Sequence, residues 1–181
     1  MSTYVLTGGT AELRDALRPR LRADRILDRP RADLSAWIHV LPDEKDESPT
    51  DVADRAEQHP PACLTFVAPV WGSIASRHAE AVELAAAEAE ALMQTRLERW
   101  ASESRRINVV RYVPPADLVP DARDAETLAA RTPMHRLPSA EEIADAIDFL
   151  ASSAAAYVTG SVIDVDGGWR AYSWFYPARD L

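Results

Sequence analysis

The chain has 181 residues, 47% of them hydrophobic, which is long enough for one domain with a real core. A formal net charge of −9 argues against a nucleic-acid partner, whose phosphates need a basic stripe, and against an anionic membrane surface. No run approaches the roughly 18 apolar residues of a membrane span, and MSTYVLTGG enters a strand directly, so no membrane segment, no signal peptide and a cytoplasmic location are expected.

In chain order, TYVLTGG (3–9) is a short apolar run stopped by two glycines, as in a first parallel strand. AELRDALRPRLRAD (11–24) has Leu13, Leu17 and Leu21 at helical spacing, with Pro19 interrupting it. LSAWIHVL (34–41) reads as a second buried strand, and the acidic, proline-bearing PDEKDESPTD (42–51) as a solvated loop. ACLTFVAPVWG (62–72) is a third strand, β-branched and aromatic. Its Cys63, the only cysteine, reads as a buried, inert thiol. Residues 78–101 carry the longest helix signal. RINVVRYVPP (106–115) is a fourth strand halted by two prolines, with a loop through Thr132 after it. Ser139, with Glu142 three residues on, forms a capping box for a helix over 139–151 whose Ile143, Ile147 and Leu150 mark the buried face. A last strand, 161–165, runs into the Asp166-Gly167-Gly168 turn. With no internal repeat and no linker, residues 1–181 read as one α/β domain, a Rossmann-like doubly wound and mainly parallel sheet, with an aromatic tail over 169–181.

The stretch TPMHRLPSAEEIADAIDFLASSAAAYVTGSVIDVDGGW (132–169) resembles the closing pattern of the short-chain dehydrogenase/reductase family almost position by position. The resemblance is moderate over 62–116 and, at 3–9, rests on VLTGG alone. It implies a nucleotide-dependent oxidoreductase fold, shortened between the first strand and LSAWIHVL, where the family's second and third strands belong.

The family's chemistry needs a tyrosine followed four residues later by a lysine, which lowers the tyrosine's pKa for proton exchange with substrate. Lys45 is the only lysine here and Leu41 stands four residues before it, so no such pair exists in the chain. Alignment of the long helix puts Val82 and Ala86 at the pair, and Pro69 near the family's serine. No catalytic residue is assigned. The glycine-rich turn is reduced to a vestigial Gly8 and Gly9, with Glu12 and Arg14 near the later glycine positions. Asn108 is the only asparagine, so the family's Asn-Asn-Ala-Gly turn is absent, and its Pro-Gly pair reads Pro114-Pro115. No cofactor is therefore expected in this chain. Asp28, 20 residues after Gly8, stands where an acid takes a ribose hydroxyl, but within RADRILDRPRAD it reads better as a solvated carboxylate. His39, His59, His78 and His135 show no ligand spacing, so no metal is assigned. Glu80, Glu83, Glu88 and Glu90 read as a solvated helix face.

The parts that persist are those that pack. The alanine-rich helix and the last helix and strand correspond to subunit contacts in the family. Trp169, Tyr172, Trp174, Phe175 and Tyr176 crowd the tail with more aromatic surface than a free terminus leaves in water. These five residues are expected at a partner interface or in a partner's pocket, or else folded back on the chain's own core. The resemblance implies a non-catalytic subunit paired with an intact homologue, as a heterotetramer or similar assembly, with NAD or NADP in the partner. Two alternatives stand beside it: a stand-alone ligand-binding or regulatory module, and an active oxidoreductase with relocated groups such as Tyr157 or Tyr172.

Overall fold

In the computed structural model, which describes residues 2–30, 34–41, 48–70, 79–119 and 121–172, six strands form one all-parallel sheet. They are β1 (Thr3–Gly8), β2 (Arg25–Leu27), β3 (Ala36–Val40), β4 (Cys63–Pro69), β5 (Arg106–Tyr112) and β6 (Val162–Val165). The helices are α1 (Ala11–Leu17), α2 (Pro49–Gln58), α3 (Ala79–Ser102), α4 (Ala122–Arg131), α5 (Ala140–Ala151) and the short α6 (Trp169–Tyr172). The sheet order is β2-β1-β3-β4-β5-β6. The chain thus leaves β1 in one direction and returns on its other side, which makes the β1–β3 boundary the topological switch point.

Both sheet faces are covered, the condition under which parallel strands read as continuous apolar runs. Every residue of β3 and β4 is buried. On one face Leu13 and Leu17 of α1 and Ile143 and Ile147 of α5 pack with Leu6, Ile38 and Val67. On the other, Val52 and Ala56 of α2 and Met93 and Trp100 of α3 pack with Trp37, Leu64 and Phe66. Cys63 is fully buried, and desolvation pushes its thiol pKa up. A third, smaller cluster joins Val113, Leu128 of α4 and Leu137, with Trp169 partly buried against it.

The capping box at α5 forms as its spacing predicts: the Glu142 N–H donates to Ser139 Oγ at 3.2 Å and the Ser139 N–H to Glu142 Oε2 at 2.9 Å. Four sequence expectations are corrected. The acidic stretch read as loop to residue 51 holds a second capping box, Ser48 with Asp51, which starts α2 at Pro49. The stretch read as loop to Thr132 contains α4, capped by Asp121, whose one buried side chain, Leu128, gave too thin an apolar stripe to register. Arg25–Leu27, inside the stretch read as solvated, is a short edge strand in register with Thr3–Val5. The helix expected over 11–24 stops at Leu17, and Pro19 turns Arg18–Arg20 into one 3-10 turn. Among the described residues no helix is long and apolar enough to cross a membrane.

Candidate functional site

In an open parallel sheet the crevice for a ligand lies outside the carboxyl ends of the strands at the switch point, here between Gly8-Gly9 and the end of β3. Gly8 and Gly9 both have positive φ, 72° and 61°. A Cβ built on Gly8 meets the Val40 carbonyl oxygen at 2.2 Å and the His39 ring at 2.7 Å; on Gly9 it meets Val40 Cγ1 at 2.6 Å. The two glycines are required because the turn lies directly against β3. Arg14, on α1, reaches back and donates through Nη1 to the carbonyl oxygens of both Gly8 and Gly9. A cation from the chain itself therefore holds the turn. Thr10 caps α1, its Oγ1 accepting the Leu13 N–H at 3.3 Å. The exposed Glu12 carboxylate is kept below the usual carboxylate range by its backbone N–H and by the Thr10 hydroxyl, so a negative charge persists at the helix start.

Beneath the turn lies a buried polar chain. Trp37 Nε1 donates to Thr7 Oγ1 at 2.9 Å, and Thr7 Oγ1 lies 2.9 Å from His39 Nδ1. The indole N–H only donates, so Thr7 Oγ1 accepts from Trp37, and its own role toward Nδ1, donor or acceptor, follows the imidazole tautomer. The His39 ring is fully buried and meets Phe66 edge-on at 6.1 Å. Sequence reading gave neither His39 nor Arg14 this role: His39 stood among histidines without ligand spacing, and Arg14 near a later position of the glycine-rich turn. The available signal for His39 was a titratable residue inside an otherwise apolar strand.

Asp28 directly follows β2, at the carboxyl edge of the sheet. Its side chain is 76% exposed and ion-paired with Arg18. Val82 and Ala86 both lie on α3, with Ala86 partly buried against the core, and Pro69 closes β4 in a buried position. Tyr4 and Tyr112 are buried, and desolvation raises both phenol pKa values, which removes them from proton exchange near neutrality. Tyr157 is fully exposed, with a relative exposure of 103%. Asn108, also buried, ties β5 to the entry of β6: its Nδ2 donates to the Val158 carbonyl and its Oδ1 accepts the Ser161 N–H, both at 3.1 Å. Among the described residues no three His, Cys, Asp or Glu side chains come together to hold a metal.

Of the tail residues, Trp169 and Tyr172 form α6. Trp169 packs on the chain's own α4 cluster with the Arg131 guanidinium 6.0 Å from its ring, and Tyr172 is 44% exposed. Trp174, Phe175 and Tyr176 lie outside the described residues.

A doubly wound parallel sheet with a glycine turn at its switch point defines a dinucleotide-type α/β domain. Residues 51–170 match the family model described as Enoyl-(Acyl carrier protein) reductase, and the chain belongs to this short-chain dehydrogenase/reductase family. It is 36% identical over 113 residues to cis-4-hydroxycyclohexanecarboxylate dehydrogenase of Sinomonas cyclohexanicum, an alignment covering 60% of this chain and 45% of that enzyme. It is 50% identical over 52 residues to L-rhamnose 1-dehydrogenase (NAD(P)(+)) of Sphingomonas sp., covering 29% and 20% of the two chains. The chain thus spans less than half the length of these relatives. Among solved structures, a short chain dehydrogenase family protein from Francisella tularensis aligns with a TM-score of 0.71 at 16% identity, covering 94% of this chain and 99% of that one. Enoyl-acyl carrier protein reductase of Bacillus cereus, solved with NADP+ and indole naphthyridinone, aligns with a TM-score of 0.69 at 15% identity, covering 94% and 96%. Both structural likenesses concern the fold.

Proposed function

We propose that this chain is a non-catalytic subunit of a short-chain dehydrogenase/reductase complex, assembled with an intact homologue that carries NAD or NADP and performs the chemistry. One observation carries the reading: with Lys45 as the sole lysine, four residues after Leu41, the chain holds no tyrosine–lysine pair. Loss of a positioned general acid costs about 10²–10⁴-fold in rate.

The switch point supports the same reading. A diphosphate seated on a glycine turn needs open space and free donors at the helix start. Here Arg14 is committed to the turn's own carbonyls, and Glu12 adds a negative charge. These residues do not fit a bound dinucleotide, and no hydride-transfer step is assigned to them. The fully exposed Tyr157 lacks the enclosure that a relocated catalytic group needs. The partner's substrate is proposed to be a hydroxy or keto compound, a class that includes the hydroxycyclohexanecarboxylate named for one relative.

Co-expression with genomically neighbouring homologues, followed by purification through a tag on this chain, tests the assembly. An intact homologue is expected to co-purify, and turnover of the complex is expected to vanish when the homologue's own tyrosine or lysine is replaced. Deleting residues 171–181 is expected to leave this chain soluble and to weaken the complex or change the partner's KM. Turnover by this chain alone, abolished by Tyr157→Phe or Tyr172→Phe at unchanged Tm, would overturn the proposal.

A further inference from the structure

A second candidate site lies at the opposite end of the sheet from the glycine turn. An open depression of about 480 Å³ lies at the amino-terminal ends of β3, β4 and β5, bounded on its far side by the segment after α5. Its described lining comprises Ser35, Ser104, Arg106, Ser152 and Ser153, with Leu34 and three alanines beside them and no carboxylate residue. In a chain with 29 acidic residues and a net charge of −9, that composition is a local inversion.

The guanidinium of this depression is held in place, and its donors are only partly used. Arg106 Nη1 donates to the Leu150 carbonyl and Nη2 to the Ser152 carbonyl, which fixes the guanidinium across the end of α5. A guanidinium has five N–H donors, and the remainder have no acceptor among the described residues. Ser152 donates its hydroxyl to the Phe149 carbonyl at 2.8 Å. Ser35 Oγ accepts the Thr3 N–H at 3.2 Å, leaving its own proton free; the hydroxyls of Ser104 and Ser153 have no partner among the described residues.

Ser104 supplies an independent sign. Arg105 N–H bonds to the Trp100 carbonyl and Ser104 N–H to the Ala101 carbonyl, which is a Schellman ending for α3 with Ser104 at the left-handed position. Its φ is 58°, where glycine is favoured. The chain accepts backbone strain there and keeps a hydroxyl at the wall of the depression. Three hydroxyl donors and a fixed guanidinium line the depression with no acceptor charge, and their four donor groups can serve the three or four oxygens of a tetrahedral dianion.

We propose that this depression binds the phosphate group of a small phosphorylated metabolite, or free phosphate, independently of any dinucleotide. Amide chemical-shift perturbation on the full chain, with inorganic phosphate, glycerol 3-phosphate and glycerol as probes in a background of constant chloride, tests it. Saturable shifts are expected at Ser35, Ser104, Ser152 and Ser153 with both phosphates and none with glycerol. A tighter response to glycerol 3-phosphate assigns the ester, and equal responses assign the free ion. Ser153→Asp, which brings a carboxylate to the wall without removing a bond of the fold, is expected to weaken binding at least about tenfold. Ser104→Gly is expected to raise Tm by relieving the left-handed strain and to weaken phosphate binding at the same time. The idea is overturned by an absence of saturable shifts at these residues, by unaltered binding in Ser153→Asp, or by a Ser104→Gly variant with higher Tm and unchanged affinity.

Discussion

Asp148 is an acid in a place that suits a neutral group. It sits on α5 with 7% of its surface exposed; Oδ2 accepts the Arg22 N–H at 2.8 Å, while Oδ1 has no hydrogen-bond partner. Desolvation raises its pKa against the opposing effects of the Arg22 N–H and the Arg22 charge, and the Asp145 carboxylate raises it further. A carboxyl whose pKa is higher folded than unfolded binds its proton more tightly in the native state. Its contribution is therefore fully present below the unfolded pKa and declines as pH rises through the folded value. At pH 7 the native state carries the cost of a buried, half-partnered charge. Asp148→Asn keeps an acceptor for the Arg22 N–H and removes that charge. A buried polar atom left without a partner costs about 1–3 kcal/mol. The amide in its place also lacks a full set of partners, so the expected gain is the lower end, about 1 kcal/mol, or about 2–4 °C in Tm for a chain of this size. Scanning calorimetry from pH 7 down to pH 3 should show the advantage of Asp148→Asn shrinking as the wild-type carboxyl takes up its proton. A variant less stable than wild type at pH 7, or an advantage that does not change with pH, would refute the reasoning.

Dinucleotide binding is directly measurable: a ligand at 100 times its Kd stabilises by about 2.7 kcal/mol, so no upward Tm shift is expected with millimolar NAD(H) or NADP(H), and a clear one contradicts the proposed function. Glu142 behaves in the opposite sense to Asp148. The Arg136 guanidinium, bonded to it at 2.6 and 2.8 Å, and the Ser139 N–H pull its pKa from 4.5 down to about 2, so its stabilisation is present above the unfolded value and is lost as pH falls toward 2. Because both side chains are more than a third exposed, Glu142→Gln should cost less than about 1 kcal/mol at pH 7 and flatten the acid limb of Tm against pH. Gly8→Ala combines a positive φ with a Cβ 2.2 Å from the Val40 carbonyl, so a loss of at least about 2 kcal/mol is expected in urea unfolding, and a near-neutral effect would show that the turn does not abut β3.

Much of this molecule was legible in the amino-acid order. The β4 and β5 strands, the long α3 and the capped α5 follow from apolar runs, helical spacing and the Ser139–Glu142 box, all local signals that tertiary packing reinforces. The absence of a tyrosine–lysine pair is likewise a property of the sequence, because it turns on one lysine and its neighbour four residues away. What stayed hidden depends on contacts between distant segments. The edge strand β2 has only three residues and exists because Thr3–Val5 offers it a parallel ladder 22 residues away. The α2 helix opens inside an acidic string whose Asp51 reads as solvated charge until Ser48 gives it a backbone N–H. Arg14 looked like a missing glycine; folding alone brings its guanidinium to the Gly8 and Gly9 carbonyls. His39 looked isolated, and its bond to Thr7 forms because β1 and β3, 32 residues apart at that pair, lie side by side in the sheet. Local chemistry determined the long strands and the capped helices; the pairing of segments far apart in the chain decided the edge strand β2 and which side chains face the crevice.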